Sequence, residues 1–231
     1  MGAGCALLVY ASDAMNERHL QICASAEWAE TVKVEILPWA VGNRDLGDDV
    51  LEVGPGPGMT TDLLRQSVPR LTAVEVDPVL AAALAERLKG SNVDVVHGDG
   101  AALPFEDGRF SGATSFTMLH HVPSPELQDR LLTEVCRVLR PGGLLVGVDS
   151  IDRPEWRELH AGDTCVPVDP DSLADRLHRA GFVDVEVQRA ASEPSTRFRF
   201  SARAPTAFRC GAAQRRASAR IRSGYVCAPR C

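Results

Sequence analysis

The 231-residue sequence has no apolar run that approaches the ~20 residues needed to span a membrane. A short apolar stretch near the start follows no basic segment, so it does not resemble a secretory signal peptide. None of the seven cysteines forms a C-x-x-C pair or a cysteine–histidine spacing suited to zinc. We therefore expect a protein without a membrane span, located in the cytoplasm, with free thiols and no bound metal.

Basic charge is scarce outside the C-terminus. The net charge is −6, but residues 206–231 contain six arginines and no acidic residue, so residues 1–205 carry about −12. An acidic body does not provide the positive groove that nucleic acids need, and we expect no nucleic-acid partner. The basic tail, rich in alanine and serine, is expected to be disordered.

The apolar pattern predicts one domain over residues 15–205, preceded by a loose leader over 1–14. Met15 is a candidate natural start. A helical segment is expected over 16–40, because apolar residues recur there at four-residue steps. They are Leu20, Ala24, Trp28, Val32 and Ile36. Trp28 and Trp39 are interpreted as core residues.

Short apolar runs then alternate with helical segments. Strands are predicted at 50–53, 71–76, 93–97, 112–117, 144–148, 183–187 and 197–202. Helices are predicted at 59–68, 79–89, 125–139 and 171–180. This alternation implies a doubly wound α/β fold with a mostly parallel sheet covered on both faces. In such sheets, ligands bind beyond the carboxyl ends of the strands.

The first strand ends in a glycine-rich loop, and the loop's spacing restricts its ligand. Three glycines alternate with prolines in the run Gly54, Pro55, Gly56, Pro57 and Gly58. No lysine follows at the Walker position, and the third glycine comes one residue earlier than in the dinucleotide fingerprint. Glu52, just before the loop, would repel a diphosphate and suits a ligand with a cationic part.

Two further acidic residues stand at predicted strand ends. Glu75 ends the second strand, where a carboxylate accepts hydrogen bonds from ribose hydroxyls. Asp99, between Gly98 and Gly100, ends the third strand and is within reach of an adenine amine. Either residue alone is equally compatible with a strand cap or an ordinary turn. Together with the glycine loop they indicate a nucleoside, without separating NAD from other adenosine ligands.

Five motifs in order resemble the class I S-adenosylmethionine-dependent methyltransferases, and most closely the ubiquinone and menaquinone methylases of the methyltransferase type 11 group. The motifs are V-L-E-V-G-P-G-P-G, V-E-V-D-P, G-D-G-A-A-L-P-F-E-D-G-R-F, L-H-H-V and R-V-L-R-P-G-G-L-L-V. The resemblance covers residues 48–150 closely and continues in pattern to about 204. It departs at Ser111, where the family often has aspartate.

The resemblance implies a Rossmann-like sheet of seven strands with the last strand antiparallel, and S-adenosylmethionine as cofactor. The cofactor-binding residues it implies are Glu52, Gly54, Pro55, Gly56, Gly58, Glu75, Val76, Asp99, Gly100 and Thr117. The glycines would back the methionine part, with Glu52 near its ammonium group. Glu75 would hold the ribose, Val76 and Gly100 would line the adenine, and Asp99 would bind its amine.

The expected reaction is an in-line methyl transfer to a small organic acceptor, for which alignment of the reactants supplies much of the rate. Where the acceptor must lose a proton, His120 and His121 are the candidate bases. In such enzymes the N-terminal helices, here residues 15–40, often cover the site as a lid. The sequence has no N-P-P-Y motif and no Pro-Cys nucleophile loop.

Two alternatives share several of these features. A nicotinamide-dependent Rossmann oxidoreductase would use the same strand, loop and acid, although the glycine spacing and Glu52 disfavour it. A catalytically silent adenosyl-binding or scaffold protein would keep the cofactor residues and use the basic tail as an interaction arm. The sequence does not define the oligomeric state.

Overall fold

A computed structural model describes residues 15–191 and 195–206. The predictions of a loose leader over 1–14 and of a disordered tail therefore lie outside the described residues, apart from Thr206. Within the described residues, no helix is both long enough and apolar enough to cross a membrane.

Seven strands form one sheet in the order β3-β2-β1-β4-β5-β7-β6. The strands are β1 (Asp49–Val53), β2 (Arg70–Glu75), β3 (Val93–His97), β4 (Phe110–Phe116), β5 (Leu139–Ser150), β6 (Val183–Arg189) and β7 (Arg197–Arg203). Strands β1 to β5 pair in parallel, and β7 lies antiparallel between β5 and β6. The predicted doubly wound, Rossmann-like sheet with an antiparallel last strand is confirmed.

The helices are α1 (Glu17–Cys23), α2 (Ala26–Thr31), α3 (Leu37–Ala40), α4 (Met59–Leu64), α5 (Pro78–Arg87), α6 (Pro125–Val138), α7 (Pro154–Leu159) and α8 (Pro170–Arg179). A π-helical turn over Val32–Ile36 joins α2 to α3. Short 3₁₀ turns follow β3 (Gly100–Ala102) and β4 (Leu119–His121).

The central strand shows why the sheet is covered on both faces. Every residue of β1 is buried, and successive side chains of a strand point to opposite faces. Leu51 and Val53 belong to the core that includes α6 and α8, whereas Val50 packs with the N-terminal helices and α4. Burial on both faces explains why Val50, Leu51 and Val53 are apolar on either side of the sheet, with Glu52 as a buried exception.

Strand β7 fixes the N-terminal helices against the sheet. Phe198, Phe200 and Ala202 point into the core, as the alternating pattern predicts. From the same strand, the guanidinium of Arg197 lies 5.7 Å from the ring centre of Trp28, and that of Arg199 lies 5.5 Å from the ring centre of Trp39. These cation–π contacts hold α2 and α3 beside the sheet.

The predicted helix over 16–40 is broken in the structure. Ser25 accepts a hydrogen bond from the backbone N–H of Trp28 at 3.1 Å and so begins α2 as its N-cap. Further on, the π-helical turn precedes Pro38. A proline ring clashes with the carbonyl four residues back in a regular α-helix, and a widened turn relieves that clash.

Most other boundaries shift by one or two residues, and three differences are larger. Helix α4 ends at Leu64 instead of continuing to Val68, because Pro69 disfavours a helical conformation at the residue before it. Strand β5 begins at Leu139 and includes the Pro141-Gly142-Gly143 stretch, at a break in its pairing with β4. Helix α7 was not predicted, since its six residues are too few to show a clear period.

The glycine that begins α4 gives a test of packing. Gly58 has φ +88°, and a Cβ there would overlap the side chains of Leu84 and Arg87 on α5. Gly90 has φ +79° with no atom near its own Cβ position. Both Ala substitutions carry a conformational cost of about 1–2 kcal/mol. We expect Gly58→Ala to cost a further ~1–3 kcal/mol through overlap.

Urea denaturation of the two variants measures the difference in unfolding free energy. Equal destabilisation by Gly58→Ala and Gly90→Ala would show that the contact between the glycine loop and α5 adds nothing to stability.

Candidate active site

The glycine loop is held to β2 by one carboxylate. Glu75, which is 5% exposed, accepts a hydrogen bond from the backbone N–H of Gly56 through Oε2 at 2.9 Å. Its Oε1 accepts one from the N–H of Asp77 at 3.0 Å. Burial raises the pKa of the Glu75 carboxyl, and these backbone donors oppose that rise. The loop thus places a bare backbone beside a buried acid.

The main cavity opens at the carboxyl ends of β1 to β4. Eight of the residues predicted to bind the cofactor line it: Gly54, Pro55, Gly56, Glu75, Val76, Asp99, Gly100 and Thr117. His121 lines it as well. Glu52, Gly58 and His120 do not: Glu52 lies behind the loop, Gly58 packs on α5, and His120 faces a neighbouring cavity.

Sequence reasoning missed several residues of the main cavity. Met15, Cys23 and Trp28 come from the N-terminal segment, and Met118, Val122 and Thr164 come from loops. Trp28 was interpreted as a core residue; the structure places it both against the core and in the cavity wall. Apolar side chains carry no motif of their own, so only their position in the fold identifies them.

At the end of β3, the two predicted residues have different surroundings. Asp99 accepts a hydrogen bond from the N–H of Ala101 through Oδ1 at 2.8 Å, which caps the short 3₁₀ turn. Gly100 lies so close to α6 and β1 that a Cβ would come within 2.8 Å of Leu131 and 2.9 Å of Val53. Glycine at this position therefore allows close packing beneath the cavity.

Glu52 is a buried acid directly behind the loop. It is 1% exposed, and its Oε1 accepts a hydrogen bond from the hydroxyl of Thr60, which lines the main cavity. Its Oε2 has no hydrogen-bond partner among the described residues. Burial raises the pKa of the Glu52 carboxyl to about 7, although the bond from Thr60 opposes the rise.

Thr117 marks the boundary between the main cavity and a side cavity. The side cavity is lined in part by His19, His120, Arg153, Trp156 and His160, and it shares Cys23, Trp28 and Thr117 with the main cavity. The backbone of Thr117 has φ +49°, a rare conformation for a residue other than glycine. Strain of this kind concentrates at functional sites.

His120 and His121 face different cavities. His120 is 2% exposed, and its Nδ1 lies 2.6 Å from Oδ1 of Asp149 at the end of β5. Its Nε2 has no partner within the described residues. His121 donates from Nδ1 to the carbonyl of Thr164 at 3.0 Å. Burial and the neighbouring histidines hold the pKa of His121 well below its usual value.

Comparisons with known proteins identify the family of the chain. The methyltransferase domain family matches residues 51–147. A protein of Mycolicibacterium smegmatis, described as a probable S-adenosylmethionine-dependent methyltransferase, is 31% identical over 187 residues, covering 69% of this chain and 71% of that protein. A probable ribosomal RNA small subunit methyltransferase A of Methanothermobacter thermautotrophicus is 40% identical over 78 residues, covering 34% of this chain and 28% of that protein.

A solved structure shares the fold. A phosphoethanolamine N-methyltransferase of Haemonchus contortus, solved with phosphomonomethylethanolamine and S-adenosylhomocysteine, superposes with a TM-score of 0.61 at 15% identity. The match covers 77% of this chain and 53% of that one.

The fold and the relatives together define a class of enzyme. The chain belongs to the class I S-adenosylmethionine-dependent methyltransferases, and S-adenosylmethionine is its cofactor and methyl donor. This family membership decides against both a nicotinamide-dependent oxidoreductase and a catalytically silent adenosyl-binding protein.

The raised pKa of Glu52 predicts how stability changes with pH. Between pH 4.5, its ordinary pKa, and about 7, the folded protein keeps the proton while the unfolded chain releases it. The unfolding free energy therefore falls as pH rises through this window, by on the order of 3 kcal/mol from this one group. In the Glu52→Gln variant this contribution is absent.

Urea denaturation of both proteins without cofactor, at several pH values between 4.5 and 8, measures the difference. All other groups titrate in both proteins, so the difference between the two curves isolates Glu52. Parallel curves across the window would contradict the raised pKa.

Proposed function

We propose that S-adenosylmethionine lies in the main cavity with its ribose on Glu75 and its adenine amine on Asp99. The observation that carries this proposal is the position of the two acids, at the carboxyl ends of β2 and β3, beside the bare backbone of Gly54 and Gly56. Val76, 37% exposed in the same wall, offers an apolar surface to the adenine ring. Gly100, which lines the same cavity, packs closely on α6 and β1 beneath it.

For the methionine part, we propose that Glu52 acts through Thr60. Glu52 does not line the cavity, but it accepts a hydrogen bond from the hydroxyl of Thr60, which does. Because the hydroxyl hydrogen is directed to Glu52, the oxygen of Thr60 is available to the ligand as an acceptor. The negative potential of a buried acid behind the loop favours the ammonium and sulfonium charges of the cofactor. Pro55 and Thr117 complete this end of the pocket.

We propose that the methyl acceptor is a small organic molecule. Met15, Cys23 and Trp28 cover the main cavity from the N-terminal segment, so residues 15–40 act as the lid that the family resemblance implies. The side cavity continues from the main one at Thr117 and offers room for an acceptor of limited size. The acidic body disfavours a nucleic acid as the substrate.

The side cavity also suggests the chemistry of the acceptor. Arg153 lines this cavity, and its Nε is buried without a hydrogen-bond partner in the described part of the chain. The guanidinium is 30% exposed and its Nη1 lies 3.9 Å from Oε2 of Glu155, so the unpaired group is the single Nε–H, whose burial costs roughly 1–3 kcal/mol. We therefore propose an acceptor that carries a carboxylate or another anionic oxygen.

The proton-transfer role of His120 and His121 stays a prediction. Asp149 holds the imidazole of His120 by its Nδ1, which leaves Nε2 toward the side cavity. His121 lines the main cavity beside Thr117. The ring centroids of the two histidines lie 4.3 Å apart, and the rings line different cavities.

Removal of the ribose partner tests the cofactor assignment. We expect Glu75→Ala to weaken S-adenosylhomocysteine binding by about 10- to 100-fold, because the charge-assisted hydrogen bonds to the ribose are lost. Isothermal titration calorimetry measures the affinity. Glu106→Ala, an exposed acid outside the cavity, is the matched control. Wild-type affinity in Glu75→Ala would show that the ribose lies elsewhere.

Transfer of a labelled methyl group tests the acceptor assignment. With a metabolite extract, we expect label in low-molecular-weight compounds retained on an anion exchanger, and none with Glu75→Ala. We expect Arg153→Gln to reduce this transfer about 10-fold or more while leaving S-adenosylhomocysteine affinity unchanged, since the side cavity binds the acceptor. Label found only in RNA or protein would contradict a small acceptor.

A further inference from the structure

Three histidines from separate parts of the chain meet between the two cavities. His19 lies on α1, His121 ends the 3₁₀ turn after β4, and His160 follows α7. One ring nitrogen from each lies within 4.8 Å of the other two. His121 lines the main cavity, whereas His19 and His160 line the side cavity. No local spacing in the sequence indicates this cluster.

Each of the three imidazoles is oriented through its Nδ1. His121 donates to the carbonyl of Thr164 at 3.0 Å, and His160 donates to the carbonyl of Trp156 at 2.7 Å. The Nδ1 of His19 lies 2.8 Å from Oδ2 of Asp163. A carbonyl oxygen only accepts, so His121 and His160 carry their proton on Nδ1 and present a lone pair at Nε2.

These nitrogen lone pairs accept no hydrogen bond from the described residues. Nε2 of His160 is buried with no hydrogen-bond partner in the described chain, and the residue is 5% exposed. The ring centroids of His19 and His160 are 4.3 Å apart, and those of His19 and His121 are 5.2 Å apart. Lone pairs this close together in a buried site are unfavourable, and a bound cation offsets that cost.

We propose that this cluster binds a divalent transition-metal ion of the zinc type through His19, His121 and His160. Three nitrogens no more than 4.8 Å apart can all lie within about 2.8 Å of one central point, and ordinary Zn–N bonds of about 2.0–2.1 Å require each to move by less than ~1 Å. Neutral imidazole is a preferred ligand of zinc and its neighbours in the first transition row.

The surroundings of the ligands match those of known zinc sites. Metal-binding histidines usually donate their second ring N–H to a carboxylate or a backbone carbonyl, which fixes the ring and raises its basicity. All three histidines have such a partner, and the Asp163 side chain is 0% exposed. Asp163 is itself held by the backbone N–H of Asn16. Three histidines brought together only by chance packing would not require a hydrogen-bond acceptor at the Nδ1 of every ring.

Three histidine ligands leave one position of a tetrahedral ion open. The ligands line both cavities, and we assign the open position to an anionic oxygen of an acceptor in the side cavity, which Arg153 also lines. With the ion bound, Nε2 of His121 is a ligand and cannot accept a proton, so His120 alone remains a candidate base. The role of the acceptor oxygen depends on the proposed function, whereas binding of the ion does not.

Titration of the metal alone tests the site. The full chain, stripped with a chelator, is expected to bind one Co²⁺ or Zn²⁺ per chain. Bound cobalt should give visible absorption typical of tetrahedral or five-fold coordination, without a thiolate-to-cobalt charge-transfer band. We expect His160→Asn and His19→Asn to weaken Zn²⁺ binding by more than about 100-fold. His178→Asn, an exposed histidine on α8, is the control.

The Asp163→Asn variant keeps all three histidine ligands and tests the hydrogen bond by which Asp163 orients His19. Loss of such a carboxylate typically weakens metal binding by about 10- to 100-fold, and circular dichroism checks that each variant is folded. The proposal is overturned by no Zn²⁺ binding in the wild type, by equal affinity in His160→Asn and His178→Asn, or by a thiolate band. Methyl transfer and S-adenosylhomocysteine binding are measured separately, so failure of the metal site leaves the proposed function to its own tests.

Discussion

The active site depends on one buried carboxylate that joins two strands. Glu75 ends β2 and accepts the N–H of Gly56, so the conformation of the glycine loop after β1 follows from the position of the neighbouring strand. The same carboxylate accepts the N–H of Asp77, which in turn caps α5. Burying this acid has a cost, seen in its raised pKa, and backbone hydrogen bonds offset part of that cost.

Much of the fold could be predicted from the sequence because its signals are local. The strand over 93–97 was predicted at the residues where it occurs, and the alternation in β7 identified its buried face. The predicted boundaries are wrong where tertiary contacts, or a second local signal such as a helix cap, override the apolar periodicity. Ser25 interrupts a four-residue apolar pattern by capping a new helix, and periodicity alone does not show that interruption.

The residues of the candidate site likewise fall into those that local sequence signals indicate and those that only tertiary packing brings together. Glu75 and Asp99 stand at strand ends, and the topology of a doubly wound sheet brings such positions together, so the sequence indicated both. Lining residues such as Cys23, Trp28 and Thr164 reach the cavity only through the packing of helices and loops. The three clustered histidines lie on elements far apart in the chain, and their convergence depends on tertiary structure alone.

Seven buried side-chain polar atoms in the described part of the chain lack a hydrogen-bond partner, and four of them lie at or near the two cavities. Glu52 Oε2 lies behind the glycine loop, whereas Arg153 Nε and Nε2 of His120 and His160 lie at the side cavity. Groups left unpaired in this way lower the stability of the free protein, and a ligand that pairs them restores it. Under the proposed function, the charges lining the two cavities also favour a different substrate in each. Acids surround the place of the cationic methyl donor, and Arg153 with a metal on the histidines would attract an electron-rich acceptor. Under the same proposal, the methyl group crosses at Thr117, whose backbone is strained and which lines both cavities.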